Sequence, residues 1–205
     1  MFITFEGIEG SGKSTLMSAL AQDLRSAGVD VLVTREPGGT ALGDTLRGIF
    51  LDPVTRIEPV AEAFLINAAR AQHVAEVIAP ALKAGHLVLC DRFFDSTVAY
   101  QGYGRGLDID MLLRLSLAAT SAIAPDLTLL IDISPDVSRE RIRARGGRDR
   151  LEREDLAFHA RVRAGYLELA ERFPRFAVLD GSLSAELLLA QAAEVVARRR
   201  HSAAL

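Results

Sequence analysis

The segment Gly7-Ile8-Glu9-Gly10-Ser11-Gly12-Lys13-Ser14 has two glycines separated by four residues, then a lysine and a hydroxyl residue, with Thr15 next. This spacing is the phosphate-binding P-loop pattern. Glycines let successive backbone N–H groups turn inward without Cβ clashes, and a helix starting at the lysine adds the positive end of its dipole. Lys13 would bring a compact charge to the β- and γ-phosphates of a nucleotide. The Ser14 hydroxyl would be a ligand for Mg²⁺, which takes its other ligands from phosphate and water. The second chemical resource is arginine: of 24 basic side chains, only Lys13 and Lys83 are lysines. The net charge is −3 over 205 residues. A globally basic surface that coats nucleic acid is therefore excluded, and arginines that bind anions must do so locally. Arg35 and Arg92 follow apolar runs, Arg47 lies on the helical segment after the second run, and Arg143, Arg145, Arg148 and Arg150 crowd around Gly146-Gly147. This last patch reads as a mobile basic lid over about 143–153.

Positioning these residues requires a sheet edge. Phe2–Phe5, Val31–Val33, Leu87–Cys90, Leu127–Ile131 and Phe176–Leu179 are short apolar runs with little polar alternation, as in parallel strands buried on both faces. Between them run segments of helical period. Leu16, Leu20 and Leu24 recur within 13–27, and 58–84, 108–122, 135–145, 153–172 and 184–200 read as further helices, the first of them broken late by Pro80. The alternation predicts an α/β P-loop NTPase fold: a five-stranded parallel sheet with helices on both faces, one domain over 1–205 and a small arginine-rich lid. One cysteine, Cys90, excludes a disulfide scaffold or a cysteine zinc cluster and fits a buried strand. No apolar run approaches the ~20 residues of a membrane span, and no basic segment precedes an apolar one at the start, so a cytoplasmic location is expected.

The classes that share such a loop separate on further residues. A GTPase switch would carry Asn-Lys-x-Asp, but Gly12 and Leu82 precede the two lysines. Transfer of phosphate to a phosphate acceptor needs no strong general base, because an acceptor with a second pKa near ~6 is already largely anionic at neutral pH. It needs positive charge on three sides: a loop and metal on the donor, arginine forks on the acceptor, and a cation that arrives when water is excluded. The arginines fit a nucleoside monophosphate kinase in these terms. A kinase for another nucleotide or nucleoside, or a nucleotide-binding protein without turnover, are the alternatives; Lys13, Ser14 and Asp91 argue against the last.

Four further motifs, in collinear order, resemble thymidylate kinases of the bacterial type: Thr34-Arg35-Glu36-Pro37-Gly38-Gly39-Thr40, Asp91-Arg92-Phe93, Asp95-Ser96-Thr97-Val98-Ala99-Tyr100-Gln101-Gly102 and Asp149-Arg150-Leu151-Glu152. The resemblance implies ATP as donor, dTMP as acceptor, Mg²⁺ and a homodimer, with helices 58–84 and 108–122 as candidates for its interface. It implies Lys13 on the donor phosphates, with the rest of the loop and Arg143 around ATP, and Ser14 and Asp91 at the metal. Glu9 would meet the sugar 3′-hydroxyl, and Arg35, Arg47 and Arg92 the acceptor phosphate, beside Pro37. Arg70 would donate to thymine O4, Thr97 and Gln101 would meet the base edge, and Tyr100 would crowd the ribose 2′ position. One branch of the family has an arginine where this chain has Gly10; here a lid arginine, Arg148 or Arg150, would reach the transferring group instead.

One position departs from the family. A phenylalanine usually stands four residues before the base-reading arginine, and here that residue is Ile66. Phe64 is six residues from Arg70, about 240° around a helix, and is expected to face the core. His73, His86, His159 and His201 have no metal spacing and read as solvent or capping residues. Gly102-Tyr103-Gly104-Arg105-Gly106 reads as a turn, and Arg198–Arg200 as a cationic last helical turn.

Overall fold

The computed structural model describes residues 1–146 and 149–203. Five parallel strands, β1 (Phe2–Glu6), β2 (Val31–Arg35), β3 (Leu87–Asp91), β4 (Leu127–Asp132) and β5 (Phe176–Asp180), form one sheet in the order β2-β3-β1-β4-β5. Each strand extends the apolar run that announced it by one or two polar residues. Those additions, Glu6, Thr34 and Arg35, Asp91, Asp132 and Asp180, fall at the C-terminal ends. β1 is central and fully buried, paired with β3 (Phe5 opposite Asp91) and with β4 (Glu6 opposite Leu130). The chain leaves β1 for β2 on one side and later returns to β4 on the other. The C-terminal end of β1 is thus the crevice where doubly wound sheets bind ligands.

The helices are α1 (Lys13–Ser26), α2 (Ala41–Leu51), α3 (Pro59–His73), α4 (Ala79–Lys83), α5 (Phe94–Thr97), α6 (Ile109–Ala119), α7 (Pro135–Arg145), α8 (Leu156–Arg172) and α9 (Ala185–Ala203). Thr40, Asp108, Ser134 and Asp155 cap α2, α6, α7 and α8, each accepting from a backbone N–H three residues on. One apolar cluster packs α1 and α9 on one face of the sheet through Leu16, Leu20, Leu188 and Val196. Another packs Val74, Ile78, Phe93 and Phe94 on the opposite face. A third, of Ile8, Phe50, Ile66, Tyr100, Leu151, Phe158 and Tyr166, floors the crevice. Cys90 is a free, fully buried thiol. No helix among the described residues is long and apolar enough to cross a membrane.

Several expectations are corrected. The segment 58–84 is not one helix broken at Pro80. A π-helical stretch, Val74–Ile78, links α3 to α4, and its wider turn lets the chain continue past a proline that lacks an N–H and would crowd a regular turn. A second π-helical stretch, Val98–Gly104, runs through the expected turn. There Gly104 is needed for close approach, because a Cβ would stand 2.7 Å from the Phe158 ring on α8. Phe64 is 60% exposed rather than in the core. His73 and His159 are buried, not solvent residues.

Candidate active site

The loop after β1 is shaped by backbone that only glycine tolerates. Gly7 has φ 136°, and a Cβ there would lie 2.4 Å from the Ile131 carbonyl oxygen. The loop ends at Gly12, and α1 begins with neither a side-chain cap nor an acid in its first turn, so its N–H groups face the crevice unscreened. Lys13 Nζ donates to the carbonyls of Gly7 and Ile8, both at 2.9 Å, and to Ser11 Oγ at 3.3 Å. Burial, reinforced by the Arg92 charge, pushes the Lys13 pKa down to about 8. Ser14 Oγ donates to Asp91 Oδ2 at 2.5 Å, joining the start of α1 to the end of β3. Arg141, on α7, closes over the loop by donating to the carbonyls of Gly10 and Gly181.

A cavity of about 640 Å³ opens from this loop, lined on the loop side by Glu9, Gly10, Gly12, Lys13, Ser14 and Thr15. Ile8 and Ser11 are buried. Three arginines converge on the same cavity. Arg35 ends β2, Arg47 lies on α2 and donates to the Pro37 carbonyl, and Arg92 follows β3; all three line the cavity, as does Pro37. Burial, then the charges of Arg35 and Arg92, lower the Arg47 pKa, the mark of cations gathered about a common space. Arg92 has φ 71°, a left-handed backbone unusual for a bulky side chain, and both of its terminal nitrogens have partners. It donates to Glu9 Oε1 at 2.9 Å, and to the hydroxyl oxygens of Tyr100, Tyr166 and Ser96 at 3.1, 3.1 and 3.2 Å.

Behind Arg92 lies buried Glu6, which accepts from Phe93 N, Ser96 Oγ and Tyr166 OH. Burial, with Asp95 adding to it, raises the Glu6 pKa to about 7. Glu9 behaves oppositely: burial alone would raise it, but Arg92, Lys13 and the Tyr100 hydroxyl outweigh burial and hold its carboxyl below the ordinary value. Its Oε1 accepts from Tyr100 OH at 2.6 Å, while its buried Oε2 has no hydrogen-bond partner.

The far end of the cavity is walled by Ile66 and Arg70 of α3, one turn apart, with Thr97, Tyr100 and Gln101 opposite. Arg70 is 1% exposed. Its Nε donates to Glu36 Oε2, its Nη1 to Asn67 Oδ1 and Thr97 Oγ1, and its Nη2 to the Phe93 carbonyl. His73 braces Glu36 from behind, at 3.0 Å from Oε1, and reaches Thr34 with its other nitrogen.

The lid residues are distributed differently from the expectation. Arg141 and Arg145 line the cavity, with Arg145 paired to Glu152, whereas exposed Arg143 does not. Arg150 turns away: Nη1 meets Glu62 Oε1 at 2.5 Å, Nε meets the Phe50 carbonyl, and the guanidinium stacks on the Phe50 ring. Arg148 lies outside the described residues. Sequence reasoning overlooked Arg141, Glu6, Glu36, Glu62 and Tyr166. Glu36 sat inside a quoted motif, and a lone acid within the apolar pattern of α3 was the available signal for Glu62.

The chain matches the family model described as thymidylate kinase over residues 5–192. It is 48% identical over 202 residues to a thymidylate kinase of Deinococcus radiodurans, covering 98% of each chain. It is 52% identical over 206 residues to one of Geobacter sulfurreducens, covering 97% of each. Its fold superposes on the crystal structure of thymidylate kinase from Ehrlichia chaffeensis with a TM-score of 0.81 at 33% identity, over 96% of this chain and 98% of that one. With the loop, the arginine cluster and the parallel sheet all in place, the chain belongs to the thymidylate kinase family.

Proposed function

We propose that the cavity phosphorylates dTMP with ATP, giving dTDP and ADP, and that the convergence of Arg35, Arg47 and Arg92 opposite the P-loop is the observation that carries this reading. A loop and a helix N-terminus hold one polyanion, three guanidiniums hold a second, and the space between is where a phosphoryl group passes. In the step, an oxygen of the dTMP phosphate bonds to the γ-phosphorus while the bond to the β-phosphate oxygen breaks. Lys13 tracks the charge from γ- to β-phosphate. Glu9, through Oε2, which has no hydrogen-bond partner and lies 3.5 Å from His159 Nδ1, accepts the 3′-hydroxyl, and Tyr100, which donates to the other oxygen of that carboxylate, crowds the ribose 2′ position. Arg70 and Gln101 read the base, with Ile66 and Thr97 against it.

The donor set suits Mg²⁺. Among the described residues no three His, Cys, Asp or Glu side chains gather as a resident metal site, but the touching oxygens of Ser14 and Asp91 fit a hard cation that arrives with phosphate and water ligands. When bound, the ion supplies charge stabilisation to the donor phosphates. The lid over about 143–153 supplies the last cation: Arg148, or Arg150 on release from Glu62, reaches the transferring group, and Arg143 contacts the donor nucleotide. The chain acts as one domain, in the cytoplasm, as a homodimer.

A coupled assay of ADP release with dTMP, dUMP, dCMP, dGMP and thymidine as acceptors tests the reading. The greatest kcat/KM is expected with dTMP; greater turnover with another acceptor replaces the substrate, and no turnover with any of them refutes catalysis.

A further inference from the structure

We propose that Glu62 is a specificity-determining positioning residue: by accepting the Gln101 amide N–H it fixes which end of that amide faces the base, so that the cavity selects a pyrimidine carrying an N3–H. This deepens, and rests on, the reading of Gln101 as a contact to the base edge.

A primary amide has a donor end and an acceptor end of nearly the same shape. Turned one way, Gln101 would suit the N3–H of thymine; turned over, it would suit the bare N3 of cytosine. Gln101 is 0% exposed, in the π-helical stretch after α5, and lines the cavity. Its Nε2 donates to Glu62 Oε2 at 2.9 Å, and its buried Oε1 has no hydrogen-bond partner in the protein. A carboxylate can only accept, so the neighbour at 2.9 Å dictates that the amide turns its NH₂ toward α3 and its oxygen toward the cavity.

Glu62 is in turn held in place by ion pairs. Its Oε1 meets Arg105 Nη2 at 3.1 Å and Arg150 Nη1 at 2.5 Å, and its Oε2 also meets Arg105 Nε at 3.4 Å. Its side chain is 1% exposed. Arg105 alone, with Nη2 on Oε1 and Nε on Oε2, keeps the buried acid from turning to serve the other amide orientation, with or without Arg150. Arg70 completes the pattern. The hydrogen bonds of its Nε, both N–H groups of Nη1 and one of Nη2 leave a single Nη2 N–H as a donor. An acceptor from Gln101 beside a donor from Arg70 matches the N3–H and O4 of thymine or uracil and opposes the N3 and N4–H₂ of cytosine.

The test compares dTMP with 5-methyl-dCMP, which keeps the methyl group and sugar and differs only at N3 and C4. The readout is the ratio of their kcat/KM values, which general loosening of the fold would leave unchanged. Glu62→Gln, which lets the amide turn, is expected to lower the preference for dTMP by about 10–100-fold. Gln101→Leu is expected to lower it at least as far, and adding Glu62→Gln to Gln101→Leu should lower it no further. A folded Glu62→Gln chain with the wild-type ratio overturns the proposal while Gln101→Leu alone still lowers it. Where Glu62→Gln does not fold, Glu62→Asp, which keeps the charge between the arginines but withdraws it from Gln101, decides in the same way. A wild-type ratio near one, or one that Gln101→Leu does not change, overturns the reading of Gln101 itself.

Discussion

Lysine and arginine divide the site between them according to shape. The chain has only two lysines among 24 basic residues, yet it keeps one at the P-loop, where the side chain is 7% exposed and its ammonium reaches the Gly7 and Ile8 carbonyls. A compact charge on a flexible stem fits there; a planar fork does not, and its larger head would displace the loop. Lys13→Arg is therefore expected to lower kcat by at least about 100-fold with folding intact by circular dichroism. Near-normal kcat would make the arginine excess a matter of composition alone. Arg35 and Arg92 were legible as cavity residues because they stand beside strand ends, and position along a parallel strand tells which edge a residue reaches; Arg47 comes to the same cavity from α2. Their partners were not. Arg92 depends on Tyr166, 74 positions away, and Arg150 on Glu62, 88 positions away. No local spacing carries such pairings, so sequence alone held no sign that Arg150 is a part-buried member of an ion pair.

Helices express the same lesson in their periods. The 3.6-residue period predicted that Ile66 and Arg70 share a face of α3, and both line the cavity. It also predicted that Phe64 leaves that face, which it does, but outward to solvent rather than inward, because periodicity gives an angle and not the neighbour that stands there. The two π-helical stretches were invisible for a different reason: a π turn is fixed by tertiary context rather than by propensity, and one follows the cavity-lining part of α3 while the other carries Tyr100 and Gln101 themselves. On α3 the unfilled stacking position yields a prediction. Ile66 is 8% exposed, at the cavity wall with Phe50 and Tyr100 in the same apolar cluster. A phenylalanine ring there would present a face to the base, and aromatic stacking on a base is worth about 1–3 kcal/mol. Ile66→Phe should lower the KM for dTMP by roughly 10-fold, measured by initial rates at saturating ATP; an unchanged or raised KM would mean that crowding against Phe50 and Tyr100 outweighs stacking.

The outer face of α3 poses a question for the whole molecule. Val60, Ala61, Phe64, Ala68 and Ala71 are all exposed along it, without a charge among them. α3 packs between α2 and α6, and these add Leu42 at 47%, Ile49 at 44% and Leu117 at 49% exposure. On the proposed reading as a homodimer, these exposed apolar side chains are the ones a second copy would cover. A two-fold contact would bury the same patch from both sides. It would also stiffen the helix whose inner face carries Glu62, Ile66 and Arg70. Phe64→Glu places a charge at the centre of that patch and, by symmetry, opposes it to its own copy. Sedimentation velocity at micromolar concentration is expected to give twice the chain mass for the wild type and the single-chain mass for Phe64→Glu. Because α3 then loses its outer support, the variant's KM for dTMP should rise more than its kcat falls. A wild type that sediments as a single chain would remove the dimer, and a dimeric Phe64→Glu chain would move the interface off α3.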